Sequence, residues 1–186
     1  GLSIHGEGPW PYYKHGKKRR RGWRKLHVAV DGTGNLLATS LSSETIRDAS
    51  RVPDLFETVT GPLASLTGDR GYDQASVYRE ALGRNANASV VIHPRINGVH
   101  SHRKLELEQR NEHLERIHTE GIYHWRRESG YYRQSTVENA FYRYKTIIGR
   151  KRRARGEEAR ETEVILGCNI LNRCLQLGRS DSVCVG

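Results

Sequence analysis

Between Trp23 and Leu41 the chain spells out one complete supersecondary unit, and that unit restricts the folds open to it. Leu26, Val28 and Val30 alternate with Lys25, His27 and Ala29, the two-residue period of a half-buried strand. Asp31, Gly32, Thr33, Gly34 and Asn35 supply turn chemistry, and Leu36 to Leu41 returns as a second strand. A hairpin is antiparallel, so a sheet built on it is not wholly parallel. Upstream, Leu2 and Ile4 read as a short strand running into a Gly- and Pro-bearing basic loop that lasts to Gly22.

Downstream the period changes. Val52, Leu55, Phe56 and Val59 fall on one helical face, with Pro53 tolerated in the first turn and Gly61 and Pro62 ending the helix. Leu63 to Thr67 reads as a central strand, and Asp73 is placed to cap a helix with Val77, Tyr78, Ala81 and Leu82 inward. Ser89 to Ile92 is a further strand, stopped by Pro94. Residues 95–130 are polar, with Leu107, Leu114 and Ile117 hinting at a solvent-washed helix, and read as an insertion. Ser135 to Ile148 is a helix with Val137, Phe141, Tyr144 and Ile148 on one stripe. The last helix runs from about Glu157 to Leu177, marked by Val164, Cys168, Leu171 and Leu175 and stopped at Gly178. This order is an α/β pattern on a mixed sheet. It reads as one domain over residues 1–178 with a disordered tail at 179–186.

Lys and Arg number 31 against 21 Asp and Glu, a net charge of +10, so the first partner to consider is a polyanion, nucleic acid above all. A basic protein that is merely soluble is the plainer alternative. No apolar run reaches the length of a membrane span, and no charged-then-apolar leader is present. Cys168, Cys174 and Cys184 are odd in number and lack metal-ligand spacing, which points to a reducing cytoplasm rather than a disulfide framework. The chain has no Met and opens on Gly1, so it reads as a piece of a longer protein.

Asp69 follows a strand and stands between glycines, where a carboxylate points into the crevice beyond the strand's end. An Asp in such a turn also serves as a turn-former. Asp73, directly before a helix, is better explained as a cap. Ser135 to Glu138 matches a capping box, in which the carboxylate turns back on the backbone. Yet Glu138, Tyr142 and Lys145 share one helical face, where an acid and an ammonium suit a metal-bound phosphodiester. The basic run Lys17, Lys18, Arg19, Arg20 and Arg21, with Arg24 and Lys25 behind it, is suited to tracking DNA phosphates or to a solvated loop. The cluster Arg150, Lys151, Arg152, Arg153 and Arg155 follows the Glu138 helix and is the stronger candidate. None of the nine histidines forms a metal-ligating motif, and they read as ordinary surface or packing residues, His27 and His93 less plainly than the rest.

The segment from Ser129 to Lys145 resembles the Tyr, Arg, Glu, Lys signature of bacterial insertion-sequence DDE transposases, with Tyr131, Glu138 and Lys145 in register. Gly68 to Asp73 is similar to the segment carrying their second catalytic Asp, Trp23 to Asp31 resembles their second strand, and Gly6 to Trp10 matches near the start. The signature's Arg position is Gln134 here, with Arg133 beside it.

The resemblance implies an RNase H-like mixed sheet flanked by helices and an acidic triad with Asp69 second and Glu138 third. The family's first Asp lies ahead of a Thr-Gly-Leu segment and so upstream of Gly1, which leaves this chain an inactive, incomplete catalytic domain, since the hairpin turn accounts for Asp31. It further implies two magnesium ions, about 4 Å apart, activating a water or a DNA 3′-hydroxyl and stabilising the leaving oxygen. DNA ends and target are the implied partners, bound by a homo-oligomer in the bacterial nucleoid, with no small-molecule cofactor. A DNA-binding transposase remnant and another RNase H-like nuclease, such as a junction resolvase, are the alternatives.

Overall fold

The computed structural model describes residues 2–4, 23–95, 98, 100 and 105–178. The chain divides into two compact units, one made of residues 1–45 and 136–186, the other of residues 46–135.

The first unit holds a mixed sheet of four strands. These are β1 (Leu2–Ile4), β2 (Trp23–Val30), β3 (Leu36–Ser43) and the two-residue β6 (Lys151–Arg152), in the order β3-β2-β1-β6. β2 pairs antiparallel with β1 and β3, while β1 and β6 run parallel with Ile4 beside Arg152. The expected hairpin forms as read. Asp31 accepts bonds from the Thr33 and Asn35 amides at 2.9 and 3.0 Å, and Gly34 takes φ +94°, a conformation a side chain would strain. Burial opposes ionisation of Asp31, but the bonds from Thr33 and Asn35 outweigh it and hold the carboxyl below its ordinary value.

Two helices cover this sheet, α5 (Gln134–Arg143), which continues as a π-helical turn over Tyr144–Ile148, and α6 (Glu157–Gln176). Ala140, Tyr144, Val164, Cys168 and Leu171 meet Leu2, Leu26, Leu36 and Leu41 in one core. Tyr144, Val164, Cys168 and Leu171 are stripe positions read from the sequence, Phe141 and Ile148 pack against this core only partly buried, and Ala140 is buried though the stripe did not include it. The amide of Asn172 on α6 binds both backbone groups of Leu36, at 2.8 and 2.9 Å, and so pairs the start of β3 from the side.

The second unit is built on a strand-helix-strand repeat. β4 (Ser65–Gly68) and β5 (Ser89–Ile92) pair in parallel, joined by α2 (Ala75–Arg84). Val90, Val91 and Ile92 are all buried, as strands of parallel pairs are. A short helix α1 (Val52–Thr58), with Pro53 in its first turn, adds Val52 and Phe56 to the core of Val77, Tyr78, Ala81 and Leu107. Among the described residues β4 pairs with β5 alone, so the strand before Asp69 is one of two rather than central to a larger sheet.

The polar stretch after β5 carries α3 (Glu108–Glu120) and α4 (Ile122–Glu128), and these are less solvent-washed than expected. Leu107, His113 and Trp125 are buried, Trp125 completely. Gln109 on α3 bonds the Val90 amide at 2.8 Å and the Ala88 carbonyl at 2.9 Å, closing the open edge of β5. A few polar side chains reaching backbone thus tie a hydrophilic helix to the core, a pattern invisible to hydrophobic periodicity.

Candidate functional site: the acidic residues and the cleft around Asp69

Asp69 ends β4 in extended conformation (φ −75°, ψ 177°) and caps a single 3₁₀ turn, Arg70–Tyr72. Its Oδ1 accepts from the Gly71 amide at 2.8 Å. The side chain stays exposed, and Oδ2 accepts no hydrogen bond from any described residue. The turn-forming and the chemical readings of Asp69 are therefore compatible.

A cavity of about 500 Å³ opens here, lined by Asp48, Asp69, Arg70, Gly71, His93, Arg126 and Tyr131. Asp48 went unnoticed in the sequence, where nothing but chain distance separates it from Asp69. A Cβ built on Gly71 would lie 3.0 Å from Asp69 Oδ1 and 3.4 Å from Asp48 Oδ2, so both carboxylates crowd one glycine. Burial, followed by the charges of Asp48 and Asp69, pushes the Tyr72 phenol well above its ordinary value.

The cleft's other groups are cationic and aromatic. His93 is buried, 5% exposed. With Nδ1 donating to the Pro94 carbonyl at 2.8 Å, Nε2 is left to accept from Arg70 Nη2 at 3.2 Å. Burial chiefly, with the positive charges of Arg70 and Arg126, keeps the imidazole below its ordinary value despite the Pro94 carbonyl. Tyr131 packs against Trp125 at 5.3 Å and His93 at 5.7 Å, ring centre to ring centre. Behind them the indole N–H of Trp125 donates to His113 Nδ1 at 3.1 Å, and His113 Nε2 donates to the Val90 carbonyl at 3.0 Å. Burial keeps His113 neutral in that tautomer and lowers its pKa.

Asp73 is corrected. It caps no helix: Gln74 occupies that position, and the Asp73 side chain, fully buried, binds Arg110 at 2.7 Å and the Arg95 amide at 2.8 Å. A carboxylate spent on a buried guanidinium is structural.

Glu138 lies in the first unit, on the exposed side of α5, and no described residue bonds its carboxylate. The capping box does not form, because α5 begins one residue early and places Ser135 inside it, its hydroxyl donating to the Tyr132 carbonyl at 2.8 Å. Tyr142 is exposed too, while Lys145 Nζ stands 5.9 Å from the Phe141 ring centre, half-covered by its own helix. Gln134 starts the helix with Oε1 buried and unbonded by any described residue.

The basic residues fall into four groups. Lys151, Arg153 and Arg155 are exposed, as are Arg150 and Arg133. Arg152 is 1% exposed, and here the DNA reading is overturned. Its guanidinium donates to Tyr144 Oη and the Gly149 carbonyl, both at 2.7 Å, and faces Glu163 at 3.6 Å, out of reach of any phosphate. Burial pushes the Tyr144 phenol up to about 12. Arg24 is held by Glu157 at 3.0 and 3.2 Å, and Lys25 is half-buried on β2. Lys17, Lys18, Arg19, Arg20 and Arg21, with Gly6 to Trp10, Cys184 and the 179–186 tail, lie outside the described residues.

No group of three or more His, Cys, Asp or Glu positioned for a metal occurs among the described residues, and none of their helices is long and apolar enough to cross a membrane. The carboxylates of Asp69 and Glu138, exposed and with acceptor capacity left, are of the hard-oxygen type that magnesium prefers.

The family model for the transposase DDE domain matches residues 1–173, nearly the whole chain. The chain belongs to that family, whose substrate is DNA and whose chemistry is phosphodiester cleavage and transesterification with divalent metal ions. No solved structure matches it.

Proposed function

We propose that this chain is the catalytic part of an insertion-sequence transposase that cleaves DNA strands and joins them to a target, with Asp69 and Glu138 as the second and third acids of its triad. The carrying observation is a contrast among acids. Asp31 and Asp73 are consumed by a turn and a buried ion pair, whereas Asp69 accepts one bond from described residues and Glu138 none. Free, exposed carboxylates are the ones able to take a metal.

Magnesium, two ions in the working site, would polarise the phosphodiester and activate water or a 3′-hydroxyl. Asp69 and Glu138 would supply oxygen ligands, Lys145 and Tyr131 contacts to phosphate, and Arg133, Arg150, Lys151, Arg153 and Arg155 the basic surface that DNA lies on. An RNase H-like arrangement of a single catalytic domain, and a homo-oligomer pairing two DNA ends, complete the reading. The sheet order β3-β2-β1 with a parallel neighbour for β1, all within the first unit, supports the RNase H-like part of this reading.

The basic surface is tested by binding DNA at several salt concentrations. Log affinity should fall with log salt by about 0.9 per phosphate neutralised. Neutralising Lys151, Arg153 and Arg155 together should flatten that slope by roughly two to three. An unchanged slope removes this cluster from the DNA path.

A further inference from the structure

The cleft around Asp69 holds a cation that the proposed reaction leaves without a task. Arg126, on α4, lines it with Asp69, and its guanidinium carbon lies 5.8 Å from the Tyr131 ring centre. Its Nε is buried and makes no hydrogen bond with any described residue, nor does its side chain form an ion pair with one. Nearby arginines differ. Arg127 is bound to Glu128 at 2.8 Å, Arg70 to His93 Nε2 at 3.2 Å, and Arg110 to Asp73 at 2.7 Å.

A guanidinium carries five donors in a fixed fork, and in a sheltered position those donors are normally matched. One left unmatched, stacked near an aromatic ring and beside an acid whose own oxygens are underused, has the makings of half a binding site. An oxyanion supplies the other half, since two phosphate oxygens accept the fork together.

We propose that Arg126 holds a DNA phosphate in the Asp69 cleft, and so sets the backbone of the substrate beside that carboxylate. Tyr131 limits the swing of the guanidinium, while Arg70, bonded to His93, adds charge. This rests on the transposase reading, because it takes DNA to be the ligand.

The test is equilibrium binding of the 186-residue chain to a fluorescent DNA duplex across a salt series, with Arg126→Gln, Arg126→Lys and Arg127→Gln. Arg127→Gln removes the same charge from the same helix outside the cleft. Arg126→Gln should lower the salt slope by about 0.9 and weaken binding several-fold, while Arg127→Gln leaves both near wild type. Arg126→Lys keeps the charge but loses the fork, so its slope should hold while its affinity drops. If a lowered thermal midpoint shows that Arg126→Gln has not folded, the Lys variant decides, and unchanged affinity there overturns the proposal. Equal behaviour of Arg126→Gln and Arg127→Gln overturns it while leaving the transposase reading intact. Failure of the wild-type chain to bind DNA overturns both.

Discussion

Asp69 and Glu138 are placed by opposite means. Asp69 is fixed by its own backbone: a strand ends, Gly71 donates to Oδ1, and the carboxylate has little freedom. Glu138 is placed from beneath. Its helix is seated by Ala140 and Tyr144 in the core and by Arg143, which donates to the Leu171 carbonyl at 2.9 Å, and Arg152 braces the π-helical turn that follows. An acid held by a turn depends on a few adjacent atoms. An acid held through a helix depends on packing many residues away, so mutations far from Glu138 in sequence should reach it and those far from Asp69 should not.

Both units also contain a buried charge whose removal separates scaffold from site. The largest effect is expected at Asp73. Asp73→Ala strands Arg110 in the interior and should cost roughly 3 to 5 kcal/mol in denaturant unfolding, as broken buried pairs do. Arg152→Met comes next. It deprives Tyr144 Oη and the Gly149 carbonyl of their charged donor and should cost roughly 2 to 3 kcal/mol. Its salt slope for DNA binding should match wild type, since a residue so buried touches no phosphate. A flattened slope there would restore Arg152 to the DNA surface and erase the distinction drawn above.

The histidines sharpen the comparison by pH. His93 and His113, both in the second unit, have folded pKa values below the ordinary 6.5, so the fold favours their neutral forms. The stability they contribute is present above about 6.5 and is lost as pH falls through the lowered folded values. Trp125 should report this, because a protonated His113 Nδ1 no longer accepts the indole N–H. Its fluorescence should change as pH falls through the lowered His113 value and before other signals of unfolding, and a signal that stays flat until the protein unfolds would contradict the tautomer assignment. The smallest effect is at Asp31. Asp31→Ala removes a turn carboxylate and should cost about 1 kcal/mol without altering DNA binding.

Much of this was legible in advance, for reasons specific to each element. The hairpin, β5 and α6 carry regular apolar spacing and strong stop residues, so their positions follow from local chemistry. Arg152 misled because a basic run looks solvated. Lys151 and Arg153 are exposed on either side of it, the two-residue alternation of a strand, but four consecutive basic residues leave no mark of that alternation in the sequence. Asp73, Asp48 and Arg126 were beyond reach for another reason. The groups around Asp73 and Asp48 lie tens of residues away, as Arg110 does from Asp73, and Arg126 stands in a polar stretch with no periodicity to single it out, so no spacing rule finds them. The capping box at Ser135 failed because the 3₁₀ turn before it, Tyr131–Arg133, runs straight into α5 and leaves no extended residue to act as a cap.

The account turns on Asp69 and Glu138 as the acids of the reaction, and metal-dependent strand cleavage tests that most directly. A longer protein that carries this chain together with the upstream acid should nick DNA in magnesium and lose the activity on Asp69→Asn or Glu138→Gln, while both variants still bind DNA, since removing an acid does not weaken contact with a polyanion. Asp31→Asn, changed in a turn, should cleave as well as wild type. Full cleavage by either the Asp69 or the Glu138 variant, or its loss in the Asp31 variant with folding intact, would contradict the assignment.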